Sequence, residues 1–333
     1  MASTEERPAG DTPYAGLDPE VIISAVESQG WRASGHVFAL NSFENRVYRI
    51  GLEDAPPLVA KFYRPGRWTD AAIEEELAFT RELDQAEIPV VAPLEREGRS
   101  LFLHAGFRFA LFPMRGGLAP ELDQPETLEQ LGRALGRLHQ VGDSRRFEHR
   151  GRLDLLNFGE APLAFLLEQG WIPDELQDSF ALAADELLDA VEDAFDGAGA
   201  IHELRLHGDC HPGNLLWREG QIQFVDFDDC LSGPAMQDIW MLLSGQPEDM
   251  RRQMGSLLDG YTVFRTFEPR ELGLIEALRS LRLLHFHGWI AKRWVDPAFP
   301  LAFPWFAERA HWDRLLGQLR EQLALLEGPA LRL

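Results

Sequence analysis

Between Leu204 and Asp229 the chain reads LRLHGDCHPGNLLWREGQIQFVDFDD. Two apolar β-like runs, Leu204–Leu206 and Ile222–Phe227, bracket a turn-rich loop that carries His207, Asp209 and Asn214, and the second run closes on Asp226, Asp228 and Asp229. A carboxylate, an amide five residues later and a second carboxylate at the end of the next strand suit phosphoryl transfer. Asp209 would accept the proton of an attacking hydroxyl. Asn214 and Asp226 would offer oxygens to Mg²⁺, a hard cation that binds through few protein groups plus phosphates.

Other chemistries compete for the same residues. His207, Cys210 and His211 have an acceptable spacing for zinc, but a fourth ligand is missing from the pattern and Asn214 and Asp226 would be idle. Asp209 with Asp226 could serve as a hydrolytic carboxylate pair, a reading that again leaves the amide without a role. His207 is better placed to hold the loop through a ring hydrogen bond, to Asp226 or to backbone. Cys210 would be redox-sensitive only if exposed with a depressed pKa. Asp228 and Asp229 read as further metal or water ligands or as solvated strand-end acids, the latter for Asp229.

The elements upstream must hold the rest of such a site. A helix begins with Asp18 as N-cap and Pro19 in its first turn and stops at Gly30. Strands are expected over Val37–Leu40, Val47–Ile50 and Leu58–Tyr63, with the loop Asn41–Asn45 between the first two. A hairpin loop can close over phosphates through its backbone N–H groups, and a lysine on a following strand can reach the same phosphates. The loop lacks a glycine-rich spacing, so Lys61, one of only two lysines in the chain with Lys292, reads either as that lysine or as a strand lysine with its head in solvent. In the helix expected over Thr69–Leu83, Glu76 falls on the apolar stripe with Ala72, Ile73, Phe79 and Leu83. A buried acid needs a partner, and Lys61 is the candidate.

Strands Ser100–His104 and Phe107–Phe112 precede Phe112-Pro113-Met114-Arg115-Gly116-Gly117, whose Pro and paired Gly break secondary structure. We place a lobe boundary there, giving a disordered tail over 1–17, a nucleotide-binding lobe over 18–115 and a helical lobe over 116–333. An adenine ring would bond backbone near Phe112 and Met114. Beyond it, Leu128–Val141 with a structural His139, Pro173–Phe195, Glu248–Thr266 and Glu268–Trp294 read as helices. Asp238, near a helix start only 12 residues after Asp226, would cap that helix or brace the catalytic loop. The run DPAFPLAFPWF over Asp296–Phe306 reads as a packed loop more readily than as a pocket wall.

Composition bounds the partners. The net charge of −22 does not suit a phosphate-backbone ligand, so no nucleic acid is expected. Residues 1–115 carry 12 basic and 18 acidic side chains, which leaves −6 there and −16 in the remainder; this reads as a solvated surface, with attraction of a basic peptide or a cationic small molecule as the functional alternative. No apolar run is long enough to span a membrane, the N-terminus lacks the pattern of a secretory signal, and two cysteines cannot form a disulfide framework. A cytoplasmic protein is expected.

His207-Gly208-Asp209-Cys210-His211-Pro212-Gly213-Asn214 resembles the HGDxxxxN catalytic loop of the aminoglycoside phosphotransferase and choline kinase-like superfamily, and Val225-Asp226-Phe227-Asp228 its metal-binding strand end. LNSFENRVY (40–48), VAKFYRPGRW (59–68), LHGDCHPGNLLW (206–217) and RWVDPAFPLAFP (293–304) are similar to the bacterial stress response kinases within it. The likeness runs from about residue 18 to the C-terminus.

The resemblance implies an α+β, bilobal protein-kinase-like fold: an N-lobe antiparallel β-sheet with a helix, and a mainly α-helical C-lobe. It implies ATP as donor with Mg²⁺, transfer to Ser/Thr of proteins, and a cytoplasmic role in stress survival. By match of position, Asp209 is the catalytic base, Asn214 and Asp226 the Mg²⁺ ligands, Ser42 an ATP contact, Lys61 the phosphate-binding lysine and Glu76 its partner. The chain departs from eukaryotic-type protein kinases in lacking a glycine-rich loop and a long activation segment. A small-molecule kinase and a nucleotide-binding scaffold without turnover are the alternatives, and a monomer is the expected state.

Overall fold

The computed structural model describes residues 12–333. In chain order it runs α1 (Pro19–Ser28), β1 (Ala33–Ala39), β2 (Arg46–Leu52), β3 (Leu58–Phe62), α2 (Asp70–Gln85), β4 (Phe102–His104), β5 (Phe107–Pro113), α3 (Pro125–Gly142), α4 (Ala161–Glu168) and α5 (Asp174–Ala198). It continues through β6 (Leu204–Leu206), β7 (Leu215–Arg218), β8 (Gln221–Phe224), β9 (Leu231–Gly233), α6 (Met236–Trp240), α7 (Pro247–Tyr261), α8 (Ile275–Lys292), α9 (Ala298–Ala302) and α10 (Arg309–Leu326). Two compact units result, one of Met1–Arg81, Val91–Arg115 and Trp294–Ala302, the other of Glu82–Val90, Gly116–Arg293 and Phe303–Leu333. The chain thus changes unit after Arg115, and the segments Glu82–Val90 and Trp294–Ala302 are exchanged between the two; the undivided lobes expected over 18–115 and 116–333 do not include that exchange.

Unit 1 is built on a five-stranded sheet of order β1-β2-β3-β5-β4, antiparallel throughout. Its central strand β3 is a nearly continuous buried run, the pattern of a strand covered on both faces. Ile50, Phe62, Phe107 and Phe109 pack with Ile22, Ala25 and Val26 of α1 into one core. The helix starts as the sequence requires, with the Asp18 carboxylate accepting from Val21 N at 2.9 Å, a cap typically worth about 1 kcal/mol. Of the tail expected over 1–17, residues 1–11 lie outside the described residues. The remainder is not a tail: Tyr14 and Leu17 pack on the sheet core, and the Tyr14 hydroxyl donates to the Glu44 carbonyl at 2.9 Å.

The loop 41–45 is fixed from behind by two arginines. Arg64 Nε donates to the Glu44 carbonyl at 3.0 Å, its own N–H donates to Asn45 Oδ1 at 3.1 Å, and Arg46 Nη1 reaches the Phe43 carbonyl at 3.3 Å. Both guanidinium groups are held by one buried carboxylate, Asp296, at 3.1 Å from Arg46 and 2.6 Å from Arg64. The segment after α8 therefore does not only pack. It carries an anion that neutralises two partly desolvated cations and keeps their donors aimed at the loop.

Unit 2 is helical apart from two short antiparallel pairs, β6 with β9 and the hairpin β7–β8. Helices α3 and α7 cross at glycine: a Cβ on Gly132 would stand 1.9 Å from the Leu257 carbonyl oxygen, and one on Gly260 1.9 Å from that of Glu129. The helix expected over Glu268–Trp294 is instead a 3₁₀ segment, Pro269–Leu274, followed by α8. The strand expected over Ile222–Phe227 stops at Phe224, because Asp226 turns into the left-handed region and Phe227–Asp229 coil into a 3₁₀ turn.

Glu271 is 3% exposed and accepts from Met236 N, capping α6, at 2.8 Å. Burial pushes its carboxyl up to about 7, while the Met236 bond and the nearby Arg265 pull more weakly downward. The folded chain therefore keeps a proton that the unfolded chain has lost between the ordinary value of 4.5 and about 7. Stability falls as pH rises through that window and is level above it, by about 3 kcal/mol at about 1.4 kcal/mol per pH unit. Glu271→Gln, which keeps a carbonyl for Met236, should unfold at higher urea than the parent at pH 8 and at the same urea near pH 4. Equal midpoints at pH 8 would show that Glu271 is not held as the neutral acid.

Candidate active site

The loop between β6 and β7 is organised by Asp238, which is fully buried. Its two oxygens accept from the backbone N–H groups of His207 and Gly208, each at 2.8 Å, and from His139 Nε2 at 3.1 Å. His139 Nδ1 in turn meets the Tyr261 hydroxyl at 2.9 Å, so the structural role expected of His139 is to orient the brace. Gln237 Nε2 holds the Gly208 carbonyl at 2.9 Å. Gly208 has φ +86 and a Cβ there would lie 2.1 Å from the Asp229 carbonyl oxygen, so no other residue fits. Asp238→Ala would strand two buried N–H groups and a histidine. A loss of about 3–5 kcal/mol is expected, read as a lower urea midpoint at unchanged slope; a midpoint like the parent's would remove Asp238 as the brace.

His207 completes the loop. Its Nε2 donates to the Val225 carbonyl at 2.9 Å, and its Nδ1 accepts from Asp209 N at 3.3 Å. Both ring nitrogens are thus engaged, which takes His207 out of the zinc reading; backbone, not Asp226, is its partner. Cys210 is buried, and burial first, then the Asp238 and Asp209 charges, push its thiol well above the ordinary value. It meets neither condition for redox sensitivity.

Asp209 leads out of this frame. Its Oδ1 is 2.7 Å from Arg282 Nη1 on α8, and its Oδ2 is 3.5 Å from His211 Nε2. Asn214 Nδ2 donates to the Asp209 carbonyl at 2.9 Å and leans on Oδ2 at 3.4 Å. Burial works to raise the Asp209 carboxyl, but the His211 hydrogen bond and the Arg282 charge outweigh it and hold the group well below the usual carboxylate range. It is ionised at neutral pH.

Asn214 ends a 3₁₀ turn, Pro212–Asn214, and its carbonyl accepts from Val225 N at 3.0 Å. This bond sets Asn214 beside the residue preceding Asp226 at the open end of the β7–β8 hairpin. With Nδ2 spent on Asp209, the Asn214 side chain presents its oxygen. Asp226 is exposed, with φ 59 and ψ 73. A hard amide oxygen and an exposed carboxylate fit a Mg²⁺ bound through few protein groups. Asp228 is buried at 3% exposure, with Arg150 donating to its carbonyl, and Asp229 is half-buried.

The remaining singled-out residues, Ser42, Lys61, Glu76, Phe112 and Met114, belong to unit 1. Lys61 and Glu76 are 5% and 2% exposed and pair at 3.1 Å, with the Tyr63 hydroxyl 3.4 Å from the same Glu76 oxygen. Ser42 is half-buried in the loop that Arg46 and Arg64 hold. Phe112 is half-buried on β5 opposite Val59. The Met114 N–H already donates to the Pro57 carbonyl at 3.4 Å, so of the two residues' backbone groups this donor is taken. Sequence reasoning missed two charged residues: Arg282, and Asp296 as the anchor of Arg46 and Arg64. Arg282 is one of several charged residues on its helix and Asp296 only opens the run Asp296–Phe306, so neither stood out by pattern.

Residues 37–275 match the phosphotransferase enzyme family. Stress response kinase A of Escherichia coli O157:H7 is 43% identical over 317 residues, covering 95% of this chain and 96% of that protein. The serine/threonine protein kinase RdoA of Salmonella typhimurium (strain LT2) is 42% identical over the same share of each. Among solved structures, the amicoumacin kinase hAmiN in complex with AMP-PNP, Ca²⁺ and Ami superimposes with a TM-score of 0.71 at 21% identity, over 92% of this chain and 93% of that one. A microcompartment-associated aminopropanol kinase follows with a TM-score of 0.65 at 20% identity, over 92% and 96%. At these identities the two structures speak for a kinase-like fold alone, whereas the sequence relatives span nearly whole chains. The chain belongs to the phosphotransferase enzyme family, and within it to the stress response kinase A group.

Proposed function

We propose that this phosphotransferase is an ATP- and Mg²⁺-dependent serine/threonine protein kinase acting as a cytoplasmic monomer in stress survival. The observation that carries the reading is the ionised Asp209, oriented by Asn214, on a loop braced by a buried Asp238. An acceptor hydroxyl would sit against Asp209 and lose its proton there. Lys61, aimed by Glu76, and Ser42 would hold the phosphates of ATP, and backbone near Phe112 would take the adenine. Asn214 and Asp226 would hold Mg²⁺, which when bound neutralises phosphate charge. Catalysis would rest on positioning and electrostatics more than on covalent chemistry. A protein acceptor is favoured by the relative named as a serine/threonine protein kinase at 42% identity.

The test is transfer of labelled γ-phosphate with Mg²⁺, offering myelin basic protein and a panel of small hydroxyl compounds, with Asp209→Asn as control. Label on protein that disappears in the variant is expected. Label on a small molecule alone would overturn the protein-kinase reading in favour of a metabolite or drug kinase. ATP binding without transfer to any acceptor would favour the scaffold.

A further inference from the structure

Arg282 puts a full positive charge on the carboxylate that has to receive a proton. That charge weakens Asp209 as a base. The contact is also incomplete: among the described residues the guanidinium makes one hydrogen bond, Nη1 to Asp209 Oδ1 at 2.7 Å, out of five N–H donors. Its side chain is 40% exposed. Arginine–carboxylate pairs are frequently bidentate, and this one is not. Here, among the described residues, the other four donors make no hydrogen bond.

The chemistry of the step explains both features. In a loose phosphoryl-transfer transition state little covalent change has reached the acceptor, and charge is spread over three equatorial oxygens. A weak base then costs little, and a cation near those oxygens gains much. A hydroxyl hydrogen-bonded to Asp209 carries the phosphorus it attacks only about one bond length further on. A guanidinium anchored on the same carboxylate is therefore within hydrogen-bonding reach of the group in transit. Its planar fork suits a phosphoryl group better than a point charge does.

We infer that Arg282 is a catalytic residue of the transfer, bridging Asp209 to the equatorial oxygens of the moving phosphoryl group. The inference rests on the reading of Asp209 as the acceptor-side carboxylate. In the step, the acceptor oxygen–phosphorus bond forms and the bond from the γ-phosphorus to the β–γ bridging oxygen breaks. The hydroxyl proton passes to Asp209, ADP leaves with the bond's electron pair, and Arg282 keeps its proton throughout. Arg282 and the acceptor hydroxyl thus share one anchor, the Asp209 carboxylate.

The experiment compares full-length Arg282→Ala, Arg282→Lys and Asp209→Asn for transfer of γ-label to myelin basic protein, or to the small hydroxyl compound that takes label. Binding of ATP and of ADP with aluminium fluoride, a mimic of the planar phosphoryl group, is measured alongside. Arg282→Ala should lower kcat about 100- to 1,000-fold, leave the ATP Kd within about twofold and lose the preference for ADP–aluminium fluoride. Arg282→Lys should recover part of kcat by restoring charge without the fork. A kcat at or above the parent's in Arg282→Ala would overturn the inference, an increase marking the pair as an inhibitory lock. A rise confined to the acceptor KM would also overturn it and make Arg282 an acceptor contact. If Asp209→Asn itself turns over normally, the underlying reading fails first. If Asp209→Asn is inactive while Arg282→Ala is normal, only this inference falls.

Discussion

Asp209→Asn should lower phosphoryl transfer by about 10²- to 10⁴-fold while leaving ATP bound. The carboxylate is anchored on one oxygen by Arg282 and flanked on the other by Asn214 and His211. Asparagine is the same size and keeps one oxygen for Arg282. Its NH₂ would face the Asn214 amide and His211 donors, and it cannot take a proton from a hydroxyl. The loop itself should persist, because Asp238 holds His207 and Gly208 through backbone N–H groups that the substitution does not touch. Single-turnover transfer and nucleotide titration on the same preparation separate the two effects. Transfer at the parent's rate would remove Asp209 from the mechanism.

The second large effect is expected at Asp226, and the choice of substitution matters. Its φ of 59 and ψ of 73 put it in the left-handed region, where a β-carbon is costly except for Asn and Asp, whose short polar side chains bond locally. Asp226→Ala would mix strain with the loss of a ligand. Asp226→Asn keeps the backbone and one oxygen but removes the charge. Activity at limiting Mg²⁺ should fall at least about 100-fold, the upper range for disturbing a group that merely supports a metal ligand. Raising Mg²⁺ should restore part of it. The Mg²⁺ dependence of the initial rate is the measurement, and a curve superimposable on the parent's would dismiss Asp226 as a ligand.

Local patterns were legible because their causes are local. The Asp18 cap and Pro19 start α1 through contacts within one helical turn. Glu76 falls on the apolar stripe of its helix by a periodicity of 3.6, and a buried acid demands a cation. Lys61, on the strand run before it, forms the pair at 3.1 Å. The glycine of His207-Gly208-Asp209 carried no such reading; its φ of +86 in the structure shows what it is for. The strand limits were less legible. Ile222–Phe227 is apolar throughout, yet pairing ends at Phe224 because the turn that aims Asp226 outranks strand propensity.

The sequence by itself determined the residues that can do chemistry, the order in which they occur, and the α+β alternation that carries them. These follow from side-chain chemistry and from periodicities of two and 3.6. The tertiary structure alone decided which charges meet. Arg282 reaches Asp209 across 73 residues, Asp238 reaches His207 across 31, and Asp296 reaches Arg46 across 250. An ion pair or a buried hydrogen bond leaves no periodic trace in the chain. Its partners are chosen by which helices and strands pack together and by the cost of leaving a desolvated charge alone.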